Sequence, residues 1–106
     1  MGNYIQVVTT FESKEDAERI ADALVEKRLG ACIQILGPMT SVYRWKGKVE
    51  KTTEFLCQVK TRASLYLEVE KTIKGLHPYT TPEIIALPIL EAHSDYAAWM
   101  DQETTR

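Results

Sequence analysis

The chain has 106 residues, a net charge of −2 and a sequence pI near 5.7. That length suits one domain over residues 1–106. The mild acidity gives no general attraction to nucleic acid or to an anionic membrane. No apolar run approaches the roughly 18 residues needed to cross a bilayer, and residues 1–6 lack the basic and apolar parts of a signal peptide. The two cysteines, Cys32 and Cys57, fall in strand-like runs and read as reduced thiols, so a cytoplasmic protein is expected.

Residues 4–10 are β-branched and aromatic, without Pro or Gly, and predict a strand. Ser13 then offers an N-cap, with Asp16 in capping-box position. Ala17, Ile20, Ala21, Leu24 and Val25 recur at helical spacing, which predicts a helix over residues 14–29 closed by Gly30 as its C′ residue. A second strand covers residues 31–36, is interrupted by Gly37-Pro38, and resumes over 40–45. Lys46-Gly47 predicts a tight turn. The return strand runs over 48–60, with Val49, Phe55, Cys57 and Val59 at alternate positions. Thr61 or Ser64 is the expected cap of the next helix, whose stripe is Tyr66, Val69, Ile73 and Leu76 and which Gly75 and Pro78 end. A fourth strand is expected over 83–90, with Pro88 suited to an edge or a bulge. Ser94 is the expected cap of a last short helix, and residues 102–106 are expected to fray.

The order β-α-β-β-α-β plus a C-terminal helix predicts an α+β, ferredoxin-like fold with a four-stranded antiparallel sheet. Right-handed crossovers place the first two helices on one sheet face and leave the other uncovered. The hairpin is overlong. An arm of about eleven residues spans roughly 36 Å, against a diameter of about 33 Å for a globule of this size. A tip carrying Tyr43 and Trp45 beyond its own core is an aggregation hazard unless another chain covers it. A homo-oligomer is therefore expected.

The stretch 76–89 is the expected binding site. Pro78 and Pro82 push His77 and Thr81 out of the α region, so His77 and Tyr79 sit on a rigid connection. His77 suits a Cu(II) or Zn site with Glu83 or a neighbouring chain's carboxylate, or else bonds locally and shapes the bend. Cys32 is either a soft ligand or a small buried hydrophobe. His93 lies in a polar loop and reads as solvated. No CxxC or HExxH pattern occurs, and no nucleophile elbow supports a Cys32–His77 triad, so no enzyme is expected. Tyr43, Trp45, Tyr79, Tyr96 and Trp99 either wall a ligand cleft or pack between subunits.

The run 41–50 (Ser-Val-Tyr-Arg-Trp-Lys-Gly-Lys-Val-Glu), the strand start Ala31-Cys32-Ile33, and His77-Pro78-Tyr79 followed by the run 82–88 are similar to the CutA divalent-cation tolerance proteins. Tyr96-Ala97-Ala98-Trp99 extends the resemblance over essentially the whole chain. It implies a tight homotrimer with exchanged hairpins, an architecture similar to PII signalling proteins, and a cytosolic role in tolerance of copper and other divalent ions. His77 and Cys32 match the family's histidine and strand cysteine. Thr9 and Leu76 stand where some members considered copper binders add a thiol and a second histidine. The ligand implied is Cu(II) or another divalent cation, with none obligatory; the alternatives are a small metabolite in an inter-subunit cleft near Tyr43, Trp45, Tyr79 and Glu83, or a scaffold that recruits a protein.

Overall fold

The computed structural model describes residues 3–104. Its elements are β1 (Tyr4–Phe11), α1 (Lys14–Glu26), β2 (Cys32–Trp45), β3 (Lys48–Arg62), a 3-10 turn (Ala63–Leu65), α2 (Tyr66–Leu76), β4 (Ile84–Pro88) and α3 (Ser94–Glu103). The strands form one antiparallel sheet in the order β2-β3-β1-β4, the ferredoxin-like arrangement. Alternate residues Val7, Phe11, Cys57 and Val59 point to one face, where Ala17, Ile20 and Leu24 of α1 and Val69 and Ile73 of α2 close the core. Burying that apolar face is the main stabilising term.

The ends of α1 show how the sequence directs the chain. Ser13 accepts from the Asp16 backbone N–H at 3.1 Å, as the capping pattern requires. The other end differs from expectation: the helix stops at Glu26, and the left-handed residue is Arg28 (φ 59°), not Gly30. Arg28 N donates to the Val25 carbonyl and Leu29 N to that of Leu24, a Schellman closure with buried Leu29 set over Leu24. A side chain is useful there, because the Arg28 guanidinium donates to the Gln102 carbonyl at 2.8 Å and lies 3.9 Å from Glu103. It thereby holds the end of α3 and offsets the roughly 1–2 kcal/mol cost of the left-handed conformation.

Other boundaries are corrected similarly. Thr61 belongs to β3 and donates its hydroxyl to the Leu29 carbonyl at 2.6 Å, and α2 starts from the 3-10 turn with Leu65 at its N-cap and no side-chain bond. At α3 the cap is His93, whose Nδ1 accepts from Asp95 N at 3.1 Å; Ser94 is the first helical residue. Residues 102–104 are ordered. Thr104 is fully buried and accepts from Arg62 Nε at 2.9 Å; Thr105 and Arg106 lie outside the described residues. β4 is shorter than expected and is an edge strand, ending at Pro88 opposite Ile5.

The second sheet face is covered only at one end. Tyr4 and Arg62 point there and reach α3 through Asp101 and Thr104. Leu36, Ile85 and Leu87 on the same face remain about half exposed.

β2 and β3 form the ribbon expected from the sequence, and it is longer. Their pairing is continuous apart from a bulge between Leu36 and Met39, where Gly37 has φ +150°. Lys46 and Gly47 both have positive φ, as a two-residue type I′ turn needs. β1 supports β3 only from Phe55 to Arg62. Beyond that point seven residues on each arm pair with each other alone. They extend about 23 Å at roughly 3.3 Å per residue and account for a longest dimension of 44 Å against 25 and 22 Å for the others.

Candidate functional site

The connection after α2 folds back against the end of β1. Pro78 holds His77 extended (φ −75°, ψ 134°), so the imidazole leaves the helix and enters the core edge. It stacks on Phe11 with centroids 4.2 Å apart and lies 4.6 Å from the Tyr79 ring. Nδ1 accepts from Tyr79 N at 3.1 Å, which leaves Nε2 as the protonated nitrogen donating to the Thr10 carbonyl at 2.8 Å. Thr10 lies one residue past the last β1–β4 pair, Thr9 with Ile84, so the ring satisfies a carbonyl at the end of that ladder. Desolvation disfavours the imidazolium and lowers the His77 pKa, although the Thr10 carbonyl opposes the shift.

Tyr79 leaves this anchor towards the hairpin. Its hydroxyl donates to Glu54 Oε2 at 2.7 Å, which ties the loop to β3 at the point where the free ribbon begins. Burial and the Glu54 carboxylate push the Tyr79 pKa far above the ordinary phenol value, so it acts as a neutral donor. Between loop and ribbon opens a cleft of about 630 Å³, within the range of small-molecule sites. Its walls include Tyr43, Trp45 and Tyr79, and three carboxylates, Glu12, Glu54 and Glu83, line it.

The cleft therefore gathers Tyr43, Trp45, Tyr79 and Glu83 from the expected site, with His77 behind Tyr79 as its support. It does not gather the others. Trp99 lies on α3, 5.4 Å from Tyr96. Cys32 starts β2 opposite Lys60, far along the sheet from Thr10, and contacts the Tyr96 hydroxyl. His77, Cys32 and Glu83 are thus not brought together within one protomer. Among the described residues no three His, Cys, Asp or Glu side chains converge as a metal set. Both His77 nitrogens are engaged, which realises the local-bonding alternative for that residue. Glu54 and Glu12 were missed from the sequence. Glu54 reads there as a solvent-facing strand residue, and its burial depends on Tyr79, 25 residues away.

A ferredoxin-like protomer with a ribbon extending past its sheet and an aromatic, acidic cleft at the ribbon's base defines the class. Residues 5–103 match the family described as CutA1 divalent ion tolerance protein. The divalent-cation tolerance protein CutA of Thermus thermophilus is 46% identical over 98 residues, covering 92% of this chain and 95% of that protein. Its crystal structure superimposes with a TM-score of 0.93, covering 96% of this chain and 99% of that one at 44% identity. The structure of CutA1 from Oryza sativa gives 0.94 at 37% identity, over 97% and 94% of the two chains. The chain belongs to the CutA1 divalent ion tolerance family. It spans 58% of the length of the mouse member, to which it is 38% identical over 97% of its own length.

Proposed function

We propose that this chain is a non-catalytic homotrimer that takes a small ligand in the cleft between the ribbon and the loop from His77 to Glu83, in the manner of a PII-like sensor. The observation that carries this is the ribbon itself. It leaves Val42 59%, Tyr43 41%, Trp45 42% and Val49 61% exposed on a two-stranded arm that no other element supports. A bare two-stranded ribbon is marginal in water, and an apolar patch of this kind is an association surface. Three copies that exchange these arms would bury the patch and close the open side of each cleft. Free cysteines and the lack of a helix long and apolar enough to cross a membrane among the described residues are compatible with a cytoplasmic setting. A plant relative is named chloroplastic, and the structure from Archaeoglobus fulgidus is described as periplasmic.

The family description favours a second reading, in which the ligand is Cu(II) or another divalent cation. His77 would have to release Thr10 or Tyr79 to coordinate it. A thermal-shift panel of metabolites and divalent salts tests both, because a ligand of the native state alone raises apparent stability. Calorimetry with Cu(II) on wild type and His77→Ala then separates them. Equal affinities remove His77 from any metal site, and no shift with any compound at about millimolar concentration rejects the cleft as a binding site.

A further inference from the structure

We propose that the ligand of this cleft is an aliphatic di- or polyamine, held by its ammonium groups between the carboxylates and the aromatic walls; the proposal rests on the cleft reading above. The lining carries three carboxylates and, among the described residues, no Lys, Arg or His. Glu54 is the telling group. It is only 7% exposed, its Oε2 is taken by Tyr79, and no hydrogen bond or ion pair satisfies Oε1 among the described residues. A carboxylate withdrawn from water without a cation is costly, and a charge-assisted partner removes that cost.

The rest of the lining selects among cations. A bare divalent ion needs several oxygens converging at about 2.0–2.6 Å, and no such set of three exists among the described residues. An alkyl chain with spaced ammonium groups suits carboxylates that stand apart across a cleft of this volume. Tyr43, Trp45 and Tyr79 offer apolar and π faces to its methylenes and charges. The ribbon already shows this chemistry, with Lys46 Nζ lying 5.9 Å above the Trp45 ring. An anionic metabolite meets only repulsion from this wall.

Calorimetric titration of the native protein with putrescine, and with butanediol and succinate as neutral and anionic molecules of matched length, tests the proposal. Putrescine should bind, butanediol and succinate should be weaker by about tenfold or more, and added salt should weaken only putrescine. Glu54→Gln keeps an acceptor for Tyr79 and should weaken putrescine by about tenfold with sedimentation unchanged. Glu83→Gln on the exposed lip should weaken it a few-fold, and carries the test if Glu54→Gln alters folding. Equal binding of putrescine and butanediol overturns the proposal. So does binding of succinate or Mg²⁺ with none of putrescine, a result that leaves the cleft a ligand site. A putrescine-silent wild type whose Glu54 is neutralised by a second copy's Lys or Arg also overturns it. Failure of every probe, whatever its charge, removes the cleft reading as well.

Discussion

His77→Ala removes three interactions at once. The stack on Phe11 is worth about 0.5–1.5 kcal/mol. The Thr10 carbonyl and the Tyr79 N–H each lose a partner, at about 1 kcal/mol if water replaces the ring and up to about 3 if it does not. His77 is 9% exposed, so partial hydration of the gap is expected and the sum is about 2–4 kcal/mol. Urea denaturation followed by circular dichroism measures it, at one fixed protomer concentration because association contributes to apparent stability. The pH dependence gives a second readout. Burial lowers the folded-state pKa below the unfolded value of about 6.5, so the unfolded chain binds the proton first as pH falls. The His77 contribution is therefore complete above about pH 6.5 and declines below it as the pH approaches the lowered folded value. His77→Ala should flatten that decline. A loss under about 1 kcal/mol with the decline intact would refute the anchoring role of the imidazole.

Gly37→Ala should lower the melting temperature by several degrees, since a Cβ at φ +150° would lie 2.7 Å from Phe55 Cδ2 and 3.0 Å from the Glu54 carbonyl. Thr104→Val removes the acceptor for Arg62 Nε and the hydroxyl that donates to Met100; it should cost about 1–2 kcal/mol and speed hydrogen exchange in α3 before the sheet. Burial pushes the Cys57 thiol up to about 11, so at pH 8 only on the order of one molecule in a thousand carries its thiolate, and a thiol reagent should label Cys57 only after unfolding. Rapid labelling of native Cys57 would contradict its place in the core.

Local patterns were legible in the sequence wherever one element decides the outcome. The Ser13 cap, the Ala17–Ile20–Leu24 stripe, the turn at Lys46-Gly47 and the alternation of Cys57 and Val59 all follow from spacing alone, and they suffice for the ferredoxin-like sheet. The departures are places where a distant partner decides. Arg28 takes the left-handed position because α3 supplies a carbonyl for its guanidinium. Thr104 is ordered because Arg62 reaches it from β3. Glu54 is buried because Tyr79 arrives from the loop. His77 was placed correctly as the rigid point of the connection, but both of its ring nitrogens are committed to backbone groups that no spacing rule reveals.

Sedimentation equilibrium of wild type and Trp45→Ala, from micromolar down to nanomolar protomer, tests the association on which the proposed function depends. Wild type should hold three times the 12.1 kDa protomer mass throughout. Trp45→Ala, which removes an aromatic from the free end of the ribbon, should dissociate on dilution with its helix content retained. A wild-type protein that sediments as a folded single protomer, or a Trp45→Ala variant that stays associated at nanomolar concentration, would contradict it.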